Sequence, residues 1–176
     1  MNCKRCALSR FRRHIIRSRG NIPADILFIG EAPTLEEDRI GKSFIGAPGK
    51  LLHKALKHAA ELIGLVDVPS IHFVNVCLCI PKDSAQGEER LPTSAEAEAC
   101  WYWVEQVYLK TTPKHVVFLG RTPEKMLRSK IPNGTYLFHP LYILRNGGVD
   151  SMLYLEFVRE LSELFKRTLS VKDTWK

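Results

Sequence analysis

Three short apolar runs punctuate the chain: Ile26 to Ile29, Ile71 to Ile80 and Lys114 to Leu119. Each is rich in β-branched or aromatic residues and bounded by Gly, Pro or polar clusters, which predicts buried strands. Around them the apolar positions recur at helical spacing instead. Leu51, Leu52, Ala55, Leu56, Ala59 and Leu62 predict a helix from about Pro48, with Gly64 as its stop and Lys50, Lys54, Lys57 and His58 largely on the outer face. Thr93-Ser94-Ala95-Glu96 reads as a capped start to a helix running through Cys100, Trp101, Trp103 and Val107. Thr34 and Glu37 have the same capping-box spacing ahead of a shorter helix. Further on, the pattern predicts a short helix from Pro123 to about Arg128 and a short strand at Tyr136 to Phe138. A final helix is striped by Leu153, Phe157, Leu161, Leu164 and Phe165. Strands alternating with helices imply an α/β protein, a three-layer α/β/α sandwich around a central, mostly parallel sheet. The 176 residues carry no repeat or low-complexity tract, so residues 1–176 are expected to form one domain.

Composition narrows the partners. No apolar run approaches the ~20 residues of a membrane span, and the N-terminus lacks the apolar core of a signal peptide. An intracellular, cytoplasmic setting without a membrane partner is therefore expected. The formal charge of +7 favours a polyanionic partner, because Lys and Arg that neutralise phosphates release counterions. Positive charge is densest from Arg10 to Arg19, where Arg12, Arg13 and Arg17 are candidate phosphate contacts; a solvated surface segment is the other reading of that stretch. The five cysteines are Cys3, Cys6, Cys77, Cys79 and Cys100. An odd number without an export signal argues against a disulfide framework and toward metal ligation or free thiols. Cys3 and Cys6 form a Cys-x-x-Cys pair, a spacing that lets two thiolates reach one metal site.

Candidate chemistry gathers around the first strand. Its end, Gly30-Glu31-Ala32-Pro33, carries polar groups to the carboxyl edge of a buried strand, where open α/β sheets form ligand crevices. Gly41, Gly46 and Gly49 bracket Phe44, so the backbone there can turn sharply or approach a ligand. Asn75 places an amide inside an apolar run, where it must find backbone or ligand partners. His139 precedes Pro140 at a strand end, which is more informative than the setting of the other histidines.

In combination these blocks resemble the uracil-DNA glycosylase superfamily, most closely the iron–sulfur-containing family 4 enzymes. The resemblance rests on the Cys3/Cys6 pair with its Arg-rich sequel, on GEAPTLEEDRIGKSFIGAPGKLL, and on Asn75-Val76-Cys77-Leu78-Cys79. It extends to Pro92 through Cys100 and to His139-Pro140-Leu141-Tyr142-Ile143-Leu144-Arg145. It implies a monomeric DNA glycosylase acting on uracil or a related modified pyrimidine base in DNA. It implies a [4Fe-4S] cluster on Cys3, Cys6, Cys79 and Cys100, with Cys77 spare, tying an N-terminal arm (about residues 1–20) to the body. It further implies Glu31, Glu37 and His139 as catalytic residues and Gly30, Ala32, Phe44 and Asn75 as the base-binding set. Leu141, with Tyr142 and Ile143, would wedge into the duplex, and Arg145 would hold a phosphate or brace that segment. Ala32 stands where some members carry a water-activating Asp.

The chain departs from the family pattern at four places. Thr34 replaces a glycine, Ser43 replaces the Pro before Phe44, Pro81 to Arg90 lacks the usual basic, proline-rich sequence, and Leu141 stands where a small residue commonly follows His-Pro. Base preference is expected to be decided at Thr34. A catalytically weak DNA- or protein-binding relative and a glycosylase for a modified viral base are the alternatives these departures leave open.

Overall fold

The computed structural model describes residues 2–170. An arm with one 3-10 turn over Ala7–Arg10 leads into β1 (Arg19–Gly20), β2 (Ile26–Gly30), α1 (Leu35–Ile40), α2 (Ala47–Leu62) and β3 (Ile71–Asn75). The chain continues through α3 (Ser94–Thr111), β4 (His115–Leu119), α4 (Arg121–Leu127), β5 (Thr135–Leu137), α5 (Pro140–Arg145) and α6 (Met152–Ser170). The strands form one sheet in the order β1-β3-β2-β4-β5. β3, β2, β4 and β5 run parallel, and the two-residue β1 pairs antiparallel with β3 at the edge.

Side-chain alternation explains the layers. Every residue of β2 is buried, as a parallel strand covered on both faces requires. Ile26 and Phe28 point to the face packed by Leu52 and Leu56 of α2 and by Phe157 and Leu161 of α6. Leu27 and Ile29 point the other way, toward Ala97 and Val104 of α3, Leu127 of α4 and Leu8 of the arm. The result is the three-layer α/β/α arrangement with a mostly parallel sheet that the alternation of patterns predicts. After β2 the chain moves outward to β3, whereas after β4 it moves to β5 on the other flank. The carboxyl ends of β2 and β4 therefore frame a topological switch point, the place where such sheets open a crevice. No helix among the described residues is long and apolar enough to cross a membrane.

Both capping boxes form: Thr34 and Thr93 accept from the N–H groups of Glu37 and Glu96, whose carboxylates accept in return from the cap N–H. Several boundaries differ from the sequence pattern. The apolar run from Ile71 stops being a strand at Asn75, although residues 76–80 are all buried. Val76 N–H and Cys77 N–H still donate to Gly30 and Glu31 carbonyls, but Leu78 then turns its carbonyl to Ile16 N–H of the arm. Burial without strand geometry gives the same apolar signal, and beyond Asn75 strand alternation does not set the sides on which Cys77 and Cys79 lie. α4 begins two residues early, at Arg121, because Pro123 is tolerated within a first helical turn. The segment after His139 is helical: α5 starts at Pro140, with its ring at the first helical position. Ile143 is fully buried in the core beneath α5, so it is unavailable as a wedge.

Candidate active site

A cavity of about 140 Å³ opens at the carboxyl edge of the sheet. Glu31, Ala32, Thr34, Glu37, Phe44, Asn75, His139 and Leu141 all line it. Gly30 does not itself line the cavity but lies behind two residues that do: a Cβ there would come within 2.9 Å of the Phe44 ring and would also strike the Asn75 amide oxygen. Gly30 and Asn75 are register partners across β2 and β3, so the missing side chain of one leaves room for the carboxamide of the other. Asn75 is only 5% exposed, and what it shows faces the cavity.

Phe44 adopts a left-handed backbone with φ of 55°, a conformation that costs a non-glycine residue about 1 kcal/mol or more. Its ring packs on Phe73 at 5.1 Å between centroids, and the residue lines the cavity. Three groups impose the conformation. Ile45 N–H donates to Glu37 Oε1 at 3.2 Å, Arg19 Nη2 donates to the Phe44 carbonyl at 3.1 Å, and Gly49 lies against the Phe44 backbone. A Cβ on Gly49 would sit 2.9 Å from Phe44 Cα and nearer still to the carbonyl carbon. Gly49→Ala is accordingly expected to destabilise the fold by about 1–3 kcal/mol through overpacking, read as a lowered midpoint in thermal or urea unfolding.

Glu37 is buried at the bottom of this turn. Burial pushes its carboxyl above the ordinary range, while the N–H groups of Thr34, Ile45 and Phe44 and the nearby Arg19 charge pull it back. One oxygen accepts from Thr34 N–H at 3.1 Å and the other from Ile45 N–H, so the carboxylate is committed to backbone. Thr34 is committed as well, its hydroxyl accepting from Glu37 N–H at 3.3 Å. Glu31 is half-buried at the strand end and also lines the cavity, beside Ala32.

His139 caps α5. Leu141 N–H donates to Nδ1 at 3.1 Å, which makes Nδ1 the acceptor and leaves the proton of the neutral ring on Nε2. Burial pushes its pKa down to about 4, so the ring is neutral at physiological pH. Leu141, which lines the cavity, is 36% exposed; Tyr142, stacked on Phe138, is 49% exposed, and Arg145 is exposed in the last turn of α5.

The wall formed by Pro81, Glu89 and Arg90 is not evident from the sequence. Glu89 accepts from Leu35 N–H, and Arg90 makes paired hydrogen bonds to Glu96 at 2.9 and 2.7 Å and another to Asp83. Folded onto those partners, a stretch that reads as a polar loop becomes a fixed side of the cavity. Its only sequence signal is opposite charge within a few residues.

The cysteines meet on the other side of the sheet. Cys3, Cys6, Cys77, Cys79 and Cys100 line one small cavity with Arg5 and Arg12. Arg12 Nη1 donates to Cys79 Sγ at 3.6 Å and its Nη2 to the Cys3 carbonyl at 2.7 Å; Leu78 N–H donates to Cys100 Sγ at 3.3 Å. A hydrogen bond from the Cys77 thiol draws Cys100 down, and the same bond, with burial, drives Cys77 far up. Burial pushes Cys79 up to about 12 despite Arg12. As the side chains stand, no three ligating groups among the described residues are disposed to hold a metal ion. The donor set itself suits iron and sulfide: all thiols, drawn from three chain segments, with N–H donors aimed at two of the sulfurs. Arg12 thus turns inward, whereas Arg13 and Arg17 are exposed.

Fold and cavity define an α/β protein with a small polar-walled pocket at the carboxyl edge of its sheet, and comparison with known proteins makes the class specific. The family model described as the uracil DNA glycosylase superfamily matches residues 17–162. The chain belongs to that superfamily. It is 35% identical over 131 residues to a type-4 uracil-DNA glycosylase of Sulfurisphaera tokodaii, covering 74% of this chain and 56% of that protein. A type-4 uracil-DNA glycosylase of Pyrobaculum aerophilum is 31% identical over 127 residues, covering 72% and 59%. One of Thermotoga maritima is 28% identical over 183 aligned positions, covering 94% and 90%. The chain thus spans little more than half the length of the first two relatives and most of the third.

Proposed function

We propose that the chain is a DNA glycosylase that takes uracil, or a related modified pyrimidine, out of the base stack and hydrolyses its N-glycosidic bond, leaving an abasic site. The observation that carries this reading is the convergence of Phe44, Asn75 and His139 on one small cavity. An extruded base needs a face to stack on, an edge to pair with and a donor for the charge it gains as the bond to the sugar breaks. Phe44 supplies the face, and the Asn75 carboxamide, with both donor and acceptor, supplies the edge. His139 supplies a neutral Nε2–H for the base oxygen, fixed by Leu141 N–H on the opposite nitrogen.

Glu37 spends both oxygens on backbone N–H groups, so its part is to hold the turn and present fixed negative charge to an oxocarbenium-like sugar. Orienting the water falls to Glu31, since Ala32 offers no carboxylate. Leu141 and Tyr142, exposed at the start of α5, suit a wedge into the stack; Arg13, Arg17 and Arg145 suit phosphates. Cys3, Cys6, Cys79 and Cys100 would hold a [4Fe-4S] cluster, which when bound supplies a covalent staple between arm and body. Arg12 braces two of those ligand positions and is set apart from the phosphate-contacting arginines.

The test is to incubate the purified, anaerobically handled chain with single- and double-stranded oligonucleotides bearing uracil or a panel of modified bases, and to score abasic sites. Release of uracil or a close analogue is the expected result. Tight DNA binding with no release from any member of the panel would point instead to a binding protein built on the same fold.

A further inference from the structure

The peptide unit between Phe44 and Ile45 is gripped at both ends by opposite charges. Its N–H donates to the Glu37 carboxylate at 3.2 Å, and its carbonyl accepts from the Arg19 guanidinium at 3.1 Å. Glu37 belongs to α1, immediately after the pocket's first wall, whereas Arg19 belongs to β1, where the N-terminal arm joins the sheet. The peptide dipole lies along the line from anion to cation in the favourable sense, negative oxygen to Arg19 and positive N–H to Glu37. Rotating that peptide would break both bonds at once, and the orientation of the Phe44 ring is set on the same residue.

Arg19 is itself prepared for this contact. The same Nη2 donates to His53 Nε2 at 2.9 Å, with His53 the acceptor because a guanidinium only donates. Burial and the Arg19 charge both lower the pKa of His53, which keeps that nitrogen available as an acceptor. The guanidinium lies over the Phe73 ring at 5.9 Å, Phe73 in turn packs on Phe44, and Arg19 Nε is buried without a hydrogen bond. The ring, the histidine and the backbone carbonyl hold the half-buried guanidinium in place. That arrangement has a consequence for the pocket more than for the sheet edge, where backbone pairing already holds β1 to β3.

We infer that Arg19 is a positioning residue for the base-stacking ring: the N-terminal arm completes the pocket by clamping the Phe44–Ile45 peptide against Glu37. The inference rests on the base-pocket reading above. Arg19 touches neither base nor sugar; it acts through Phe44. A charge-assisted hydrogen bond of this kind is worth about 10- to 100-fold in an equilibrium it selects for.

The experiment is a double-mutant cycle on the full chain, using a single-stranded uracil-containing oligonucleotide and measuring kcat/KM for Arg19→Ala, Phe44→Ala and the pair, with thermal unfolding of each. Arg10→Ala, whose exposed side chain lies on the same arm and which has no part in the pocket or the phosphate contacts, is the charge control. The expected result is a loss of about tenfold or more for Arg19→Ala, and no further loss when it is added to Phe44→Ala, since the ring it positions is gone. Arg19→Lys, which keeps one donor for the carbonyl, is expected to recover part of the loss, as is ethylguanidinium added to Arg19→Ala. Additive losses, or an Arg19→Ala variant as active as wild type beside a weakened Phe44→Ala, would overturn the inference and leave the pocket assignment standing. A Phe44→Ala variant with full activity would overturn the pocket assignment and this inference together. Should Arg19→Ala fail to fold, the Arg19→Lys and Arg19→Gln pair decides it: equal activity in the two overturns the clamp.

Discussion

His139→Ala is expected to lower single-turnover base release by about 10²- to 10³-fold while changing affinity for uncleaved DNA by less than about threefold. Removing one preorganised donor to a developing anion has a cost of that size in a water-excluded site. The split between rate and affinity follows from the tautomer. Leu141 N–H holds Nδ1, so the ring presents Nε2–H in a fixed direction, and that bond strengthens only as the base oxygen gains charge. His139→Gln, which keeps an N–H but not its anchoring, is expected to fall between Ala and wild type. Comparable losses in rate and affinity would remove His139 from catalysis. The pH profile gives a second readout. Burial lowers this histidine to about 4, so catalysis is expected to show no limb from its titration near 6.5 and to change with its protonation only as the pH falls toward 4. The same shift has a stability counterpart of definite sign. Between about 6.5 and 4 the unfolded chain takes up the proton more readily than the folded one, so the part of stability that depends on keeping the ring neutral is lost as the pH drops through that window.

Much of the fold is legible in the sequence because periodicity and end signals agree. The two capping boxes, the helix stripe from Leu51 to Leu62 and the buried strand at Ile26 leave little freedom. Where the sequence misleads, burial and geometry part company. Residues 76–80 are as apolar as the strand they follow, yet they are buried by the arm and α3 instead of by a ladder. Ile143 looks like part of an exposed wedge only until Pro140 is seen to start a helix. The pocket's chemistry-bearing residues are visible as exceptions to their surroundings: an amide in an apolar run, a His before Pro, a Phe among glycines. Its supports are not. Arg19 reads as one more charge in a basic stretch, and Arg90 as one in a polar loop; only the folded chain brings the first to a carbonyl 25 positions away and the second to the wall of a cavity.

Cys100→Ala is expected to abolish a visible absorbance band in anaerobically purified protein and to lower the thermal midpoint by about 6–12 °C. That range corresponds to a loss of about 3 kcal/mol in a chain of this size. The fall is expected to be limited because the arm has anchors of its own. Leu8 and Ile16 are each 1% exposed, Ile16 N–H bonds to the Leu78 carbonyl, and the N–H groups of Arg13 and His14 donate to the buried Asp38 at 3.0 Å. What the cluster would add lies upstream of those anchors, at Cys3 and Cys6, where Arg12 supplies the other tie through the Cys3 carbonyl. Limited proteolysis should therefore cut Cys100→Ala between about residues 3 and 7 while sparing the chain beyond Ile16. Cys77→Ala separates the ligand from the spare thiol. If Cys79 is the ligand, Cys77→Ala keeps the band and Cys79→Ala loses it; the reverse pattern would exchange their roles, with Cys77 then binding in the cavity it shares with Cys100. Protein that is colourless and loaded with zinc as isolated would leave the thiol set intact as a metal site and overturn the iron–sulfur assignment. A wild-type protein with neither metal would make the hydrogen bond from Leu78 N–H to Cys100 Sγ, and not a cluster, the link between the residue 76–80 segment and α3.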